Sequence, residues 1–209
     1  STSSTKSRLR ALLRETAQPV AVVTSFMPSD ASIRTGEDNS NDQPIYHGAT
    51  LSSFTSIAMD PIPLITFALR IPSRMASALN SSLSSSPSDM VINILSSHQA
   101  SIATGFSRPD LYPHPFRTTP YFLSSDGLPI IRGSLGAFSC KLVSKGLPLH
   151  DVRLLQERRF DKPPDELPSN SQAVSELFIA QVMRVEVTDP VAEGQNLPLL
   201  YHKRTFTSC

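Results

Sequence analysis

The chain has 209 residues, 39% of them hydrophobic and 18% charged, with 19 Lys and Arg against 18 Asp and Glu for a formal net charge of +1. That length suits one globular domain with a sizeable core, and near neutrality argues against whole-surface attraction to nucleic acid or to an anionic membrane. The apolar content is too high for a wholly disordered chain, and no apolar run approaches the roughly 18 residues of a membrane span. Two cysteines, Cys140 and Cys209, leave a disulfide framework improbable, and 32 Ser with 18 Pro suggest a loop-rich chain rather than a helical bundle.

In chain order, Lys6, Arg8, Arg10 and Arg14 precede the first acid, Glu15, in a Ser- and Thr-rich stretch. Leu9, Leu12 and Leu13 share a helical face, which predicts an amphipathic first helix; the same basic composition suits the end of a mitochondrial transit segment. Residues 19–26 (PVAVVTSF) read as the first strand, and residues 27–44 as a polar surface loop. Residues 46–51 and 63–69 are the next strands, joined by a Ser/Thr-rich connection over 52–61 that ends in Asp-Pro. Residues 73–79 predict a short helix capped by Ser73, followed by a serine loop over 81–88. Residues 90–95 (MVINIL) predict a buried strand, and 97–106 a helix capped by Ser96 or Ser97. A Pro-rich excursion covers 107–120, and strands at 133–143 and 177–187 flank a mixed segment over 151–172. Six or seven strands with three short helices favour an antiparallel barrel with peripheral helices, all-β to α+β in class.

Several chemistries lack their motifs. There is no GxGxxG, no Walker pattern and no Gly-x-Ser-x-Gly, and no two of the five histidines stand i, i+4 apart as on a metal-binding helix. What remains is the stretch from His47 to Ser56 (HGATLSSFTS), whose short hydroxyls and backbone N–H groups could cradle an oxyanion or simply satisfy the loop's own backbone.

The order of the segments resembles the flavin reductase-like family with its FMN-binding split-barrel fold. LRALLRETAQPVAVVTSF is similar to the family's opening helix and first strand. HGATLSSFTSIAMDPIPLITFAL is similar to its Gly-x-Thr-x-Ser-Ser-Phe-x-Ser-x-Ser-x-Asp-Pro-Pro segment, and MVINILSSHQASIATGFS to its Val-x-Asn-x-Leu strand and helix. GLPIIRGSLGAFSCKL follows, and SELFIAQVMRVEV is a weaker fifth match. The resemblance implies one split-barrel domain over residues 1–209, with a core from about 9 to 190, an N-terminal arm at 1–8 and a peripheral tail at 196–209.

It also implies a homodimeric FMN-dependent oxidoreductase taking electrons from NAD(P)H, either self-contained or serving a partner monooxygenase. Thr50, Ser52, Ser53, Phe54, Thr55 and Ser56 would then run along the flavin ring edge and ribityl-phosphate chain. Ser73 and Arg74 would meet the phosphate at a helix start. Asn93 would approach the isoalloxazine edge, and Phe106 would cover part of the pocket. Where the family commonly carries Gly-Asp-His, this chain has Ala173, Val174 and Ser175, and Ala180 stands where the family prefers Gly. A serine cannot replace imidazole as a proton donor near neutral pH. That departure, with the long loops and basic N-terminus, leaves an alternative: a catalytically degenerate split barrel serving as a binding subunit of a larger assembly, in the mitochondrial matrix or the cytoplasm. The basic tail Tyr201-His202-Lys203-Arg204 could pack on the barrel or contact RNA or phosphate.

Overall fold

The computed structural model describes residues 2–27, 46–81, 86–149, 174–188 and 197–208. The expected loops over 27–44 and 151–172 fall almost wholly outside these residues, as do Cys209 and Ala173.

The basic N-terminal stretch is helix α1 (Thr2–Arg14), but Leu9, Leu12 and Leu13 are 53%, 65% and 49% exposed, so its apolar stripe has no cover among the described residues. The first predicted strand divides at Val20 into β1 (Gln18–Pro19) and β2 (Ala21–Phe26). Ala21 and Val23 point into one core cluster and Val20 and Val22 into another, which is why this stretch lacks polar alternation. Next comes β3 (Tyr46–Leu51), with the boundaries the sequence predicts. The expected connection after it contains a strand of its own, β4 (Thr55–Ala58), which is mostly exposed and pairs only with β5 (Leu64–Ile71).

Helix α2 (Arg74–Ser81) starts where Ser73 predicts: the Ser73 hydroxyl accepts a hydrogen bond from the Ala76 N–H at 3.3 Å. Strand β6 (Met90–Ile94) is buried, and α3 (Ala100–Ser107) follows it. Neither Ser96 nor Ser97 caps α3. Gln99 stands at that position without a side-chain cap bond, its side-chain oxygen turned back to accept the Ser96 N–H at 2.9 Å and its amide donating to the Arg132 carbonyl at 2.8 Å.

The hairpin β7 (Tyr121–Leu123) and β8 (Pro129–Ile131) turns through Asp126-Gly127, with Gly127 at φ 77°. Then come β9 (Gly136–Leu142), β10 (Leu147–Pro148) and the 13-residue β11 (Val174–Glu186). The C-terminal hairpin β12 (Leu200–His202) and β13 (Thr205–Thr207) joins β1 in a small separate sheet.

The main sheet is antiparallel in the order β3-β2-β6-β9-β11-β5-β4, with β10 paired to β11. Strand β11 makes it curl. Its first part pairs with β5, from Val174↔Ile71 to Gln181↔Leu64, and its last part with β9, with a register shift between Val182 and Arg184 that bends the strand. The result is a half-barrel whose interior holds Phe67 and Phe178 stacked at 5.4 Å, together with Leu51, Ile92 and Cys140. Met75 and Leu79 of α2 plug one end, and Ala103 and Phe106 of α3 pack outside β2 against Val22 and Leu199.

Candidate functional site

Strand β3 lies at the edge of the sheet between the two helices, and its pleat divides its side chains between them. Toward α3, Thr50 Oγ1 donates to the Ala103 carbonyl at 2.6 Å. Gly48 has no side chain where the Phe106 ring lies, and that ring is held edge-on against Phe116 at 5.0 Å. Beyond β3, Ser53 Oγ donates to the Ala68 carbonyl at 3.1 Å and accepts the Ala68 N–H at 3.0 Å, tying the connection to β5.

These elements enclose an open cleft of about 870 Å³, floored by residues 47–53 and walled by Arg70, Ser73, Arg74, Phe106 and Ser175. Its size lies in the ~300–1,000 Å³ range of cofactor sites. Arg70 and Arg74 are exposed, and neither guanidinium makes a hydrogen bond or ion pair with a described residue. Ser175 faces Arg70 across the β11–β5 pair. Asp110 brings an acid to the rim, and its hydrogen bonds from the Arg108 guanidinium, at 3.0 and 2.8 Å, hold its carboxyl below the usual range.

His47 lines the same cleft. Burial, reinforced by the charge of Arg74, lowers its pKa to about 4, so at neutral pH it is an uncharged imidazole with one donor and one acceptor nitrogen. Its sequence signal is weak, a lone histidine before Gly48, and only the approach of α2 to β3 makes it part of a site. Arg70 and Gly48 are likewise site residues that the sequence does not single out for the cofactor.

Of the expected residues, Thr50, Ser52, Ser53, Ser73, Arg74 and Phe106 line this one cleft, and so does Ser175. Four others do not. Asn93 is fully buried, its amide nitrogen donating to the Val22 carbonyl at 3.2 Å and Thr24 Oγ1 at 3.3 Å, and its oxygen accepting the Ile131 N–H at 2.8 Å. Both polar atoms of that side chain thus have partners inside the core. Phe54 packs on the core beside Phe138, with ring centroids 5.8 Å apart. Thr55 and Ser56 lie on exposed β4, where their hydroxyls reach only the Ser56 carbonyl and the Met59 sulfur.

The donor set suits a flavin phosphate. Two guanidiniums unpaired among the described residues and the first turn of α2 offer fork-shaped donors and partial positive charge, and the Phe106 side of the cleft offers an apolar wall.

Residues 13–209 match the sequence profile of the flavin reductase like domain. Among solved structures, nitrilotriacetate monooxygenase component B from Mycobacterium thermoresistibile is 20% identical, with a TM-score of 0.66 over 100% of this chain and 89% of that one. The styrene monooxygenase flavin reductase from Pseudomonas putida S12 is 21% identical, with a TM-score of 0.63 over 96% and 95%. An NADH:FAD oxidoreductase from Streptomyces globisporus C-1027, solved with NAD and FAD fragments, is 18% identical, with a TM-score of 0.60 over 96% and 90%. At these identities the likeness is one of fold, the split barrel. No helix among the described residues is long and apolar enough to cross a membrane.

Proposed function

The chain belongs to the flavin reductase-like family, and from that footing we propose that it is an NAD(P)H-dependent FMN reductase working in the cleft between β3, β5, α2 and α3. The observation that carries this reading is the convergence on one cleft of the β3 hydroxyl segment, the start of α2 and two arginines unpaired among the described residues. A bound flavin supplies a ring that accepts a hydride from nicotinamide and passes electrons on.

The chain's own residues bind and orient. Arg74 and the Ser73-capped start of α2 hold the FMN phosphate. The Thr50 hydroxyl donates its hydrogen bond to the Ala103 carbonyl and is left to accept, whereas the Ser52 hydroxyl is open to donate. Phe106 shields one wall from water. His47, uncharged, hydrogen-bonds without adding charge. Ser175 offers a hydroxyl where the family commonly has histidine, and Arg70 beside it provides positive charge on that side.

The exposed apolar residues Ile57, Met59, Ile62 and Met183 lie around the turn between β4 and β5. They support a homodimer joined through this face. Relatives named as components or reductases of monooxygenases support the reading that the reduced flavin is delivered to a partner monooxygenase.

Steady-state oxidation of NADH and NADPH with FMN, FAD or riboflavin as acceptor tests the reading. Turnover with FMN favoured over FAD is expected. Tight flavin binding without turnover would favour instead a subunit that holds flavin without reducing it, the alternative that Ser175 supports.

A further inference from the structure

Basic residues stand near both ends of the sequence, and the fold brings those ends together. The last turn of α1 and the β12–β13 turn enclose a second cleft of about 350 Å³, lined by Arg10, Arg14, Thr16, Tyr201, Lys203 and Arg204 among others. It shares no residue with the flavin cleft. The pairing of Gln18 with Tyr201 and a hydrogen bond from the Lys203 N–H to the Arg14 carbonyl at 3.2 Å fix its walls.

Four cations thus face one concavity. Glu15 pairs with Lys203 at 3.0 Å, but both side chains are more than half exposed and the pair is weak. The guanidiniums of Arg10, Arg14 and Arg204 make no hydrogen bond or ion pair with a described residue. Converging like charges repel until an anion enters between them.

The backbone makes an independent argument. Lys203 and Arg204 form the two-residue turn of the hairpin with φ of 46° and 69°. Such turns favour Gly, Asn and Asp, because a side chain in the left-handed region is crowded against the backbone. Two long cations held in that conformation, both lining one cleft, point to a role for their side chains.

We propose that this cleft binds the phosphate or diphosphate group of a small organic phosphate. Arg10, Arg14 and Arg204 supply the planar donor forks, Lys203 a point charge, and Thr16 a hydroxyl. Tyr201, its ring packed 5.4 Å from Phe206, presents an aromatic wall to the organic part of the ligand. The site is too small and concave for an RNA track, and a chain of net charge +1 lacks the broad basic face such a track needs.

Calorimetric titration of inorganic pyrophosphate into the purified full chain tests this. Besides any binding in the flavin cleft, one site per chain is expected that persists in Arg74→Gln and whose affinity Arg14→Gln with Arg204→Gln lowers about tenfold or more. Arg10→Gln, on the exposed surface of α1, is a second variant with the same expected direction. The proposal fails if no binding is seen, if the tail variants bind as well as the native chain, or if Arg74→Gln abolishes binding. It fails equally if a single-stranded RNA binds here more tightly than pyrophosphate and displaces it.

Discussion

The Phe106 ring fills the space that a β-carbon on Gly48 would need: such an atom would lie 2.5 Å from Cε1 and 2.6 Å from Cδ1. The ring cannot readily move aside, because it is 4% exposed and packed against Phe116. Gly48→Ala should therefore cost about 1–3 kcal/mol of stability by overpacking and should weaken flavin binding by displacing the wall. Urea unfolding and flavin titration of the variant check both effects.

Arg74 separates binding from folding. It is exposed and unpaired among the described residues, so Arg74→Gln should change stability by no more than about 0.5 kcal/mol. If it holds the flavin phosphate, FMN affinity should fall about tenfold while riboflavin, which has no phosphate, binds as before. Fluorescence titration with the two flavins reads the difference. Equal losses for both would remove Arg74 from the phosphate site.

His47 gives the site a pH signature. Its pKa is near 6.5 in the unfolded chain and about 4 in the fold, lowered by burial first and by Arg74 second. Between those values the unfolded chain binds the proton and the folded chain does not. The stabilising contribution is therefore complete above pH 6.5 and is lost as pH falls toward 4. The upper limit of the effect is about 3 kcal/mol. His47→Gln should flatten this part of the stability profile, measured by urea unfolding at a series of pH values, and Arg74→Gln should move the lower edge of the window upward.

Asn93 is expected to matter to the fold and not to the cofactor. Asn93→Ala strands the buried Ile131 N–H, at a cost of about 1–3 kcal/mol, while the Val22 carbonyl keeps its ladder bond to β6. Its folded fraction should still bind flavin with native affinity, as a titration at low temperature will show. A selective loss of flavin binding at unchanged stability would return Asn93 to the site.

The parts of the fold that bury a continuous face are those the sequence reveals. Residues 46–51 and 90–95 announce β3 and β6 through their apolar and β-branched content, and Ser73 announces α2 through its cap. Strand β4 is hidden because Thr55-Ser56-Ile57-Ala58 is an edge strand with exposed faces, so its polar residues look like a loop. The hairpin of β7 and β8 is short, and only Asp126-Gly127 marks its turn. The uncovered stripe of α1 shows the converse: periodicity predicts a helix without saying what it packs against.

The site divides along the same line. Thr50, Ser52, Ser53, Ser73 and Arg74 are reached through the family resemblance, because the run of hydroxyls by itself fits an oxyanion cradle and a loop that satisfies its own backbone. His47 and Arg70 are not, because their meaning comes from α2 and β11 arriving beside them. An amide such as Asn93 serves a cofactor and a core equally well in sequence, and only the fold reveals its three hydrogen bonds inside the core.

The most direct test is the absorbance of the purified protein loaded with FMN, followed under exclusion of air as NADH or NADPH is added. Bleaching of the oxidised-flavin bands, at a rate lowered by Arg74→Gln, is the expected result. Failure of FMN to bind, or bound flavin that stays oxidised with both nucleotides, would contradict a reductase in this cleft.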